Sequence, residues 1–247
     1  MLIRYHKAPN NFQQLLILQD FSSVFVLLPI FWERMIYLKK LLLNEGIPVP
    51  PLFPFRHILT FSSKKYEVSN DLKWKIDLDT WIECEFGKKW NDFLNEPEKL
   101  LNFPHRLLYH ALMVYKEQSV VPVDEKVILE ANKSEELYKQ FMRDDLSFDE
   151  WILYLNEIKD DEVIFGLFEH RLGGKYGCLD KNIWKYYINF LKEKEQHLEF
   201  LNAYRRYTRF FIEDKETVEE YRNEIERISK TKIPVAEFWI DTILYEM

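Results

Sequence analysis

Apolar residues recur through most of the chain at the three-and-four spacing of an amphipathic helix. Beyond residue 124 this pattern predicts seven consecutive helices with short links, at 125–142, 148–159, 161–172, 181–194, 197–212, 215–229 and 235–247. Short links make neighbouring helices antiparallel. The pattern therefore predicts a series of helical hairpins in the C-terminal half.

The first half of the chain is less regular. Helices are predicted at 32–44, at 77–94 and from Pro104 onward, and Gly46 is a stop signal after the first of them. Four prolines in 47–55 exclude a continuous helix, and 56–66 is compatible with a short strand or an irregular loop. The apolar stretch 21–32 is interpreted as a buried helix, with a membrane-associated segment as the lesser alternative.

The clearest break lies at 119–124, where Pro122 interrupts the helical pattern. We place a boundary there. Residues 1–120 form a divergent helical region with a proline-rich loop, and residues 121–247 form a helical repeat region.

Two units of the second region repeat after 33 residues, the distance from Trp151 to Trp184. Each unit begins Trp-x-x-Tyr, with Tyr154 and Tyr187 as the second aromatic residue. A hairpin of this kind cannot bury its own apolar face, but a stack of hairpins can. The aromatic residues of the two units are therefore predicted to form the repeat core: Trp151, Tyr154, Phe168, Trp184, Tyr187, Tyr204 and Tyr207.

These units resemble the HAT (half-a-TPR) repeat, whose first helix carries Trp-x-x-Tyr. Phe168–Leu172 is similar to the end of the second-helix motif, and Ala203–Tyr207 to its beginning, with Thr208 where the family usually has Glu. The resemblance covers about 148–212, and Trp239 is interpreted as the start of a further repeat. It implies an all-α antiparallel helix-hairpin solenoid, a superhelix like those of HAT and TPR proteins.

The resemblance also implies a function, because HAT proteins scaffold ribonucleoprotein and RNA-processing complexes. We expect a non-catalytic protein-binding scaffold in a nuclear complex for pre-mRNA splicing or 3′-end processing. The partners would be proteins of that complex, and because family members often dimerise, a homodimer is a further expectation. Two alternatives stay open: a direct RNA-binding helical module, and a TPR-like adaptor unrelated to RNA, with the cytoplasm as the alternative location.

The amino-acid composition argues against several folds and disfavours some of these functions. Only 6 Gly in 247 residues argue against an all-β sandwich or a Rossmann fold, whose turns and phosphate loops require glycine. A formal net charge of −7 disfavours broad contact with nucleic acid. We find no motif for a catalytic, cofactor or metal site, and the two cysteines, Cys84 and Cys178, are not paired in a CxxC motif. The sequence predicts no enzyme activity, no cofactor and no membrane association.

One polar cluster has a functional interpretation: Arg171, Arg205, Arg206 and Arg209. Arginine makes bidentate hydrogen bonds to phosphates and carboxylates, so the cluster could form a patch that binds RNA or an acidic peptide. The alternative is a solvated face or ion pairs with carboxylates of the same chain. We favour the alternative.

Overall fold

The computed structural model describes residues 2–49, 98–105, 107–143, 145–174 and 177–244. The predicted helix 77–94, the segment 56–66 and Cys84 lie outside the described residues. All regular structure in the described residues is helical, which confirms the all-α prediction there. The α-helices are α1 Leu2–Lys7, α2 Asn11–Ser22, α3 Pro29–Asn44, α4 Glu98–Leu101, α5 Leu108–Gln118, α6 Glu125–Phe141, α7 Phe148–Leu155, α8 Asp161–Gly173, α9 Lys181–Glu193, α10 His197–Phe210, α11 Lys215–Ser229 and α12 Ala236–Leu244.

The seven helices predicted beyond residue 124 are α6 to α12, and polar caps explain several of their starts. Ser147 and Glu150 form a capping box at the start of α7. Asp180 accepts a hydrogen bond from the backbone N–H of Asn182 at the start of α9, and Asp214 does the same for Thr217 at α11. These caps stand 33 and 34 residues apart, at Ser147, Asp180 and Asp214.

Two tight links have left-handed backbone. Gly46, with a φ of 70°, follows α3 as predicted, and the N–H of Ile47 donates to the carbonyl of Leu42. Glu195 ends α9 with a φ of 54°, and the N–H of Gln196 donates to the carbonyl of Leu191. The second link adopts without glycine the conformation that glycine usually supplies.

The expectation of a single helix over 21–32 is wrong. Helix α2 ends at Ser22, and α3 begins at Pro29. The hydroxyls of Ser22 and Ser23 donate to the carbonyls of Gln19 and Asp20, three residues earlier, and so compete for backbone acceptors. Pro29 disfavours helical backbone in the residue before it and supplies no N–H. No helix of the described residues has both the length and the apolar composition needed to cross a membrane.

The chain divides into two compact units that do not follow the order of the sequence. The first comprises Met1–Ala8, Leu16–Leu28 and Arg171–Met247, and the second comprises Pro9–Leu15 and Pro29–His170. Helix α2 therefore contributes to both units. The C-terminal helices are joined in one unit by a short N-terminal segment that is distant in sequence.

In the first unit, α9 packs on α10, α10 on α11, and α11 on α12, while α12 also contacts α10. The residues between these helices are buried and mostly aromatic or aliphatic, including Trp184, Tyr187, Tyr207, Tyr221 and Phe238. The ring of Tyr204 stacks on that of Tyr221, with centroids 5.6 Å apart. Trp239 lies in the second helix of the α11–α12 hairpin, so its interpretation as the start of a further repeat is wrong. The next hairpin begins instead at the Asp214 cap.

In the second unit, α4, α5 and α6 pack against one another, and α6 packs on α7. Trp151 is buried in α7, and its ring meets Phe168 of α8 edge-on, with centroids 5.0 Å apart. Phe141, the last residue of α6, contacts both Trp151 and the half-buried Tyr154. The break predicted at 119–124 is the link between α5 and α6.

Candidate functional site

Helix α10 carries three of the four arginines of the sequence-predicted cluster. Arg205 and Arg206 are buried, and the side chain of Arg209 is 28% exposed. Arg171 lies on another helix, near the end of α8, and is half-buried. The α10 arginines lie inside because the helix is packed against α9, α11 and α12, which leaves its middle turns little contact with solvent.

Arg205 contacts three residues on two consecutive turns of α12. Its Nε lies against Oδ2 of Asp241, and its Nη2 lies 3.5 Å from Oε2 of Glu237. Its guanidinium carbon is 4.5 Å from the ring centroid of Phe238. A buried guanidinium needs such partners, because an unpaired charge in the interior is strongly destabilising. Arg205 therefore attaches α12 to α10.

Arg209 shares the same carboxylate. Its Nη2 donates to Oδ1 of Asp241 over 3.1 Å, and its guanidinium carbon lies 5.0 Å from the ring centroid of Phe25. Its Nε is buried and has no hydrogen-bond acceptor among the described residues. One carboxylate thus lies beside two guanidinium groups.

Arg206 points to a different neighbour, the ring of Trp184, 5.6 Å from its guanidinium carbon. The indole Nε1 of Trp184 donates to the carbonyl of Cys178 over 2.9 Å. This carbonyl belongs to a short 3-10 helix, Gly177–Leu179, whose first residue lies very close to α8: a Cβ on Gly177 would lie 1.7 Å from the carbonyl oxygen of Arg171. Glycine at position 177 is therefore required for the backbone that receives the Trp184 hydrogen bond.

A second polar centre connects α9, α10 and α11. The hydroxyl of Tyr207 donates to Oδ2 of Asp214 over 2.6 Å, and Nζ of Lys181 donates to the same oxygen over 3.0 Å. The hydrogen bond from Tyr207, followed by that from Lys181, holds the pKa of Asp214 far below its usual range. Burial, together with the Asp214 carboxylate, raises the pKa of Tyr207 well above its usual range. Asp214 is thus a structural anion, and Tyr207 stays neutral.

Six of the seven residues predicted as repeat core are buried, and the seventh, Tyr154, is half-buried. Stacked aromatic rings of this kind have no face open to a nucleic acid base. Among the described residues, no group of three or more His, Cys, Asp and Glu side chains is placed to hold a metal ion.

Sequence reasoning did not identify Asp241, Asp214 or Phe25 as partners of the arginines and tyrosines. Asp241 lies 32 residues from Arg209, and Asp214 lies 33 residues from Lys181. Local helix spacing covers three or four residues and cannot reveal such pairs. The signal that could have found them is the repeat period itself, applied to charged residues as well as to tryptophans.

No protein-family model matches the sequence, and comparisons with the curated proteins and with the solved structures find no match either.

Proposed function

We propose that this protein is a non-catalytic, protein-binding scaffold built from stacked helical hairpins, and that it acts in a nuclear RNA-processing complex. The all-helical fold of the described residues supports this proposal, and the arrangement of its hairpins as a repeat solenoid is what the resemblance to HAT repeats implies. The link to RNA processing, whether splicing or 3′-end formation, derives from that resemblance.

The observation that carries the proposal is the recurrence of one spacing in caps and ion pairs. Ser147, Asp180 and Asp214 cap the first helices of three successive hairpins at intervals of 33 and 34 residues. Between the last two hairpins, Lys192 of α9 contacts Glu224 of α11 at a separation of 32 residues. The pairs Lys181–Asp214 and Arg209–Asp241 have separations of 33 and 32 residues. Equivalent helices in adjacent hairpins of a solenoid meet at the repeat period.

An exposed apolar face supports protein binding in particular. On α12, Trp239, Ile240 and Ile243 are exposed by 36%, 60% and 57%, and they fall within two turns of one helix. Adjacent exposed apolar side chains of this size are typical of surfaces that bind other proteins. The buried arginines of α10 and the net charge of −7 disfavour direct RNA binding.

The test is affinity purification of the tagged chain from cells, with and without ribonuclease, followed by mass spectrometry. A scaffold retains RNA-processing proteins after nuclease treatment. Loss of these proteins on treatment would instead support the RNA-binding module, for which purified protein should bind RNA with an affinity that falls steeply with salt. Partners outside the nucleus and unrelated to RNA would favour the adaptor and exclude the proposal.

A matched pair of variants identifies the face that binds. Ile243→Lys places a charge on the exposed apolar face of α12, whereas Leu153→Lys does so at another exposed position, on α7. Partner loss in the first variant alone would assign binding to α12. Equal retention in both would place the binding surface elsewhere in the chain.

A further inference from the structure

The segment Phe21–Leu28 contacts helix α10 through the ring of Phe25. It begins in the last turn of α2 and belongs to the same compact unit as α9 to α12. The rings of Phe21 and Phe25 are stacked, with centroids 4.7 Å apart, and Phe25 lies against the guanidinium of Arg209. Leu27 is fully buried, while Phe25 is only half-buried.

The contact between this segment and Arg209 is incomplete. The Phe25 ring faces the guanidinium but supplies no acceptor, and the buried Nε of Arg209 has none among the described residues. A buried donor without an acceptor is destabilising, and more so if the donor is charged. A ligand that brought both an aromatic ring and a carboxylate to Arg209 would satisfy this donor. The two oxygens of Asp241 face other nitrogens, Nη2 of Arg209 and Nε of Arg205.

We infer that the α10 surface around Arg209 is a docking site for an acidic, aromatic segment of a partner protein, and that Phe21–Leu28 covers it in the free chain. The partner's ring takes the place of Phe25 over the guanidinium, and its carboxylate accepts from Nε of Arg209. Arg205 faces a second carboxylate, that of Glu237, whereas the other group against the guanidinium of Arg209 is the ring of Phe25. The inference rests on the proposed protein-binding function and names the surface and the chemistry it recognises.

The first experiment uses the full chain and a fluorescent peptide with the sequence of residues 18–28, LQDFSSVFVLL, which contains Asp20 beside Phe21. The wild-type segment competes with this peptide, so a Phe25→Ala chain, which weakens that competition, should bind it about tenfold more tightly by fluorescence anisotropy. Where Phe25→Ala lowers helicity, Phe25→Leu keeps the apolar bulk and removes only the ring.

A second substitution tests whether Arg209 is the receptor. Arg209→Lys in the Phe25→Ala chain keeps the charge but removes the planar group and the Nε donor, so the gain in affinity should be lost. Tyr37→Ala is the matched control, because it removes the comparable contact between Arg34 and Tyr37, 4.9 Å from guanidinium carbon to ring centroid, in the other unit. This control should leave peptide affinity at the wild-type value.

Equal binding by wild-type, Phe25→Ala and Phe25→Ala/Arg209→Lys chains would overturn the inference, as would the absence of peptide binding by every chain. Binding of labelled single-stranded RNA to the Phe25→Ala chain, in place of the peptide, would assign the surface to nucleic acid and also overturn it. The outcome is separable from the scaffold proposal: peptide binding without any retained cellular partner rejects the scaffold alone, and retained partners without peptide binding reject the docking site alone.

Discussion

The hairpin that contains Trp184 and the hairpin that contains Trp151 bury equivalent indole rings among different neighbours. Trp151 is enclosed by rings, with Phe141 and Phe168 edge-on to it. Trp184 instead contacts the guanidinium of Arg206 and donates to the carbonyl of Cys178, while Tyr207 and Phe210 complete its surroundings.

The two Trp-x-x-Tyr segments thus place a buried tryptophan at the same position but in different chemical surroundings. The Trp184 hairpin has charged groups next to its core, and the carboxylate of Asp241 on α12 pairs with Arg205 and Arg209. Its stability should therefore depend on polar contacts more strongly than that of the Trp151 hairpin.

The largest effect is expected from the two tryptophans. Trp184→Ala and Trp151→Ala should each lower the free energy of unfolding by roughly 3–5 kcal/mol, because each leaves a large cavity. The Phe variants sharpen the comparison: Trp184→Phe also loses the hydrogen bond to Cys178, which adds about 1 kcal/mol. Urea unfolding measures the free energy of unfolding of the four variants, Ala and Phe at each tryptophan. A Trp151→Phe loss as large as that of Trp184→Phe would contradict the difference between the hairpins.

Removing the shared carboxylate comes next. Asp241→Asn leaves Arg205, whose side chain is 5% exposed, without its anion, and we expect a loss of roughly 3 kcal/mol. Glu237→Gln is the control on the same helix. The Glu237 side chain is 76% exposed, so its loss should stay within about 0.5 kcal/mol. Thermal unfolding that gives equal losses for both variants would refute a special role for Asp241.

Asp214→Asn tests the centre between α9, α10 and α11. Asn keeps the helix cap but removes the negative charge that accepts from Tyr207 and Lys181, so a loss of about 1–2 kcal/mol is expected at neutral pH. The folded-state pKa of Asp214 is lowered, so its stabilising contribution is present above the unfolded value of about 3.9 and is lost as pH falls through the folded-state pKa. Urea unfolding across acidic pH should show the wild-type advantage shrinking only below about pH 4. An advantage already lost between about pH 6 and 5 would point to another group.

The smallest loss of stability is expected from removing one of two ion pairs that have the same length. Lys192 contacts Glu224 and Lys133 contacts Glu157, both over 2.6 Å, but Glu224 is 13% exposed and Glu157 is 41% exposed. Lys192→Met should cost about 1 kcal/mol and Lys133→Met near zero, since exposed pairs contribute little. Added salt should reduce the difference in stability loss between the two variants. A larger loss for Lys133→Met would show that exposure does not decide between them.

The sequence predicted helices well where local signals are strong. Ser147, Asp180 and Asp214 stand directly before amphipathic runs, and the predicted starts of α7, α9 and α11 agree with the structure. Burial of Trp151 and Trp184 also followed from their helical spacing. The break between α2 and α3 was not predicted, because residues 21–32 form an apolar run that favours one continuous helix. The helix is interrupted by the hydrogen bonds of the Ser22 and Ser23 hydroxyls to backbone carbonyls and by Pro29.

The partners of the arginines could not be predicted by the same reasoning. On a helical wheel, Arg205 and Arg209 lie one turn apart, which by itself describes a basic surface as well as a buried pair. The deciding residues are Asp241, on a helix two elements later, and Phe25, near the other end of the chain. Only tertiary structure brings such distant positions together.

The interleaving of the two units has a consequence for how the chain is made. Leu16–Leu28 leave the ribosome long before Arg171, yet they belong to the unit completed by the last helices. Until those helices are synthesised, an apolar stretch that includes Phe21, Phe25 and Leu27 has no native surface to pack on. Incomplete chains that expose such stretches are prone to aggregate. Slow translation of the second half, or an arrest within it, should therefore make this protein dependent on chaperones that shield its N-terminal segment.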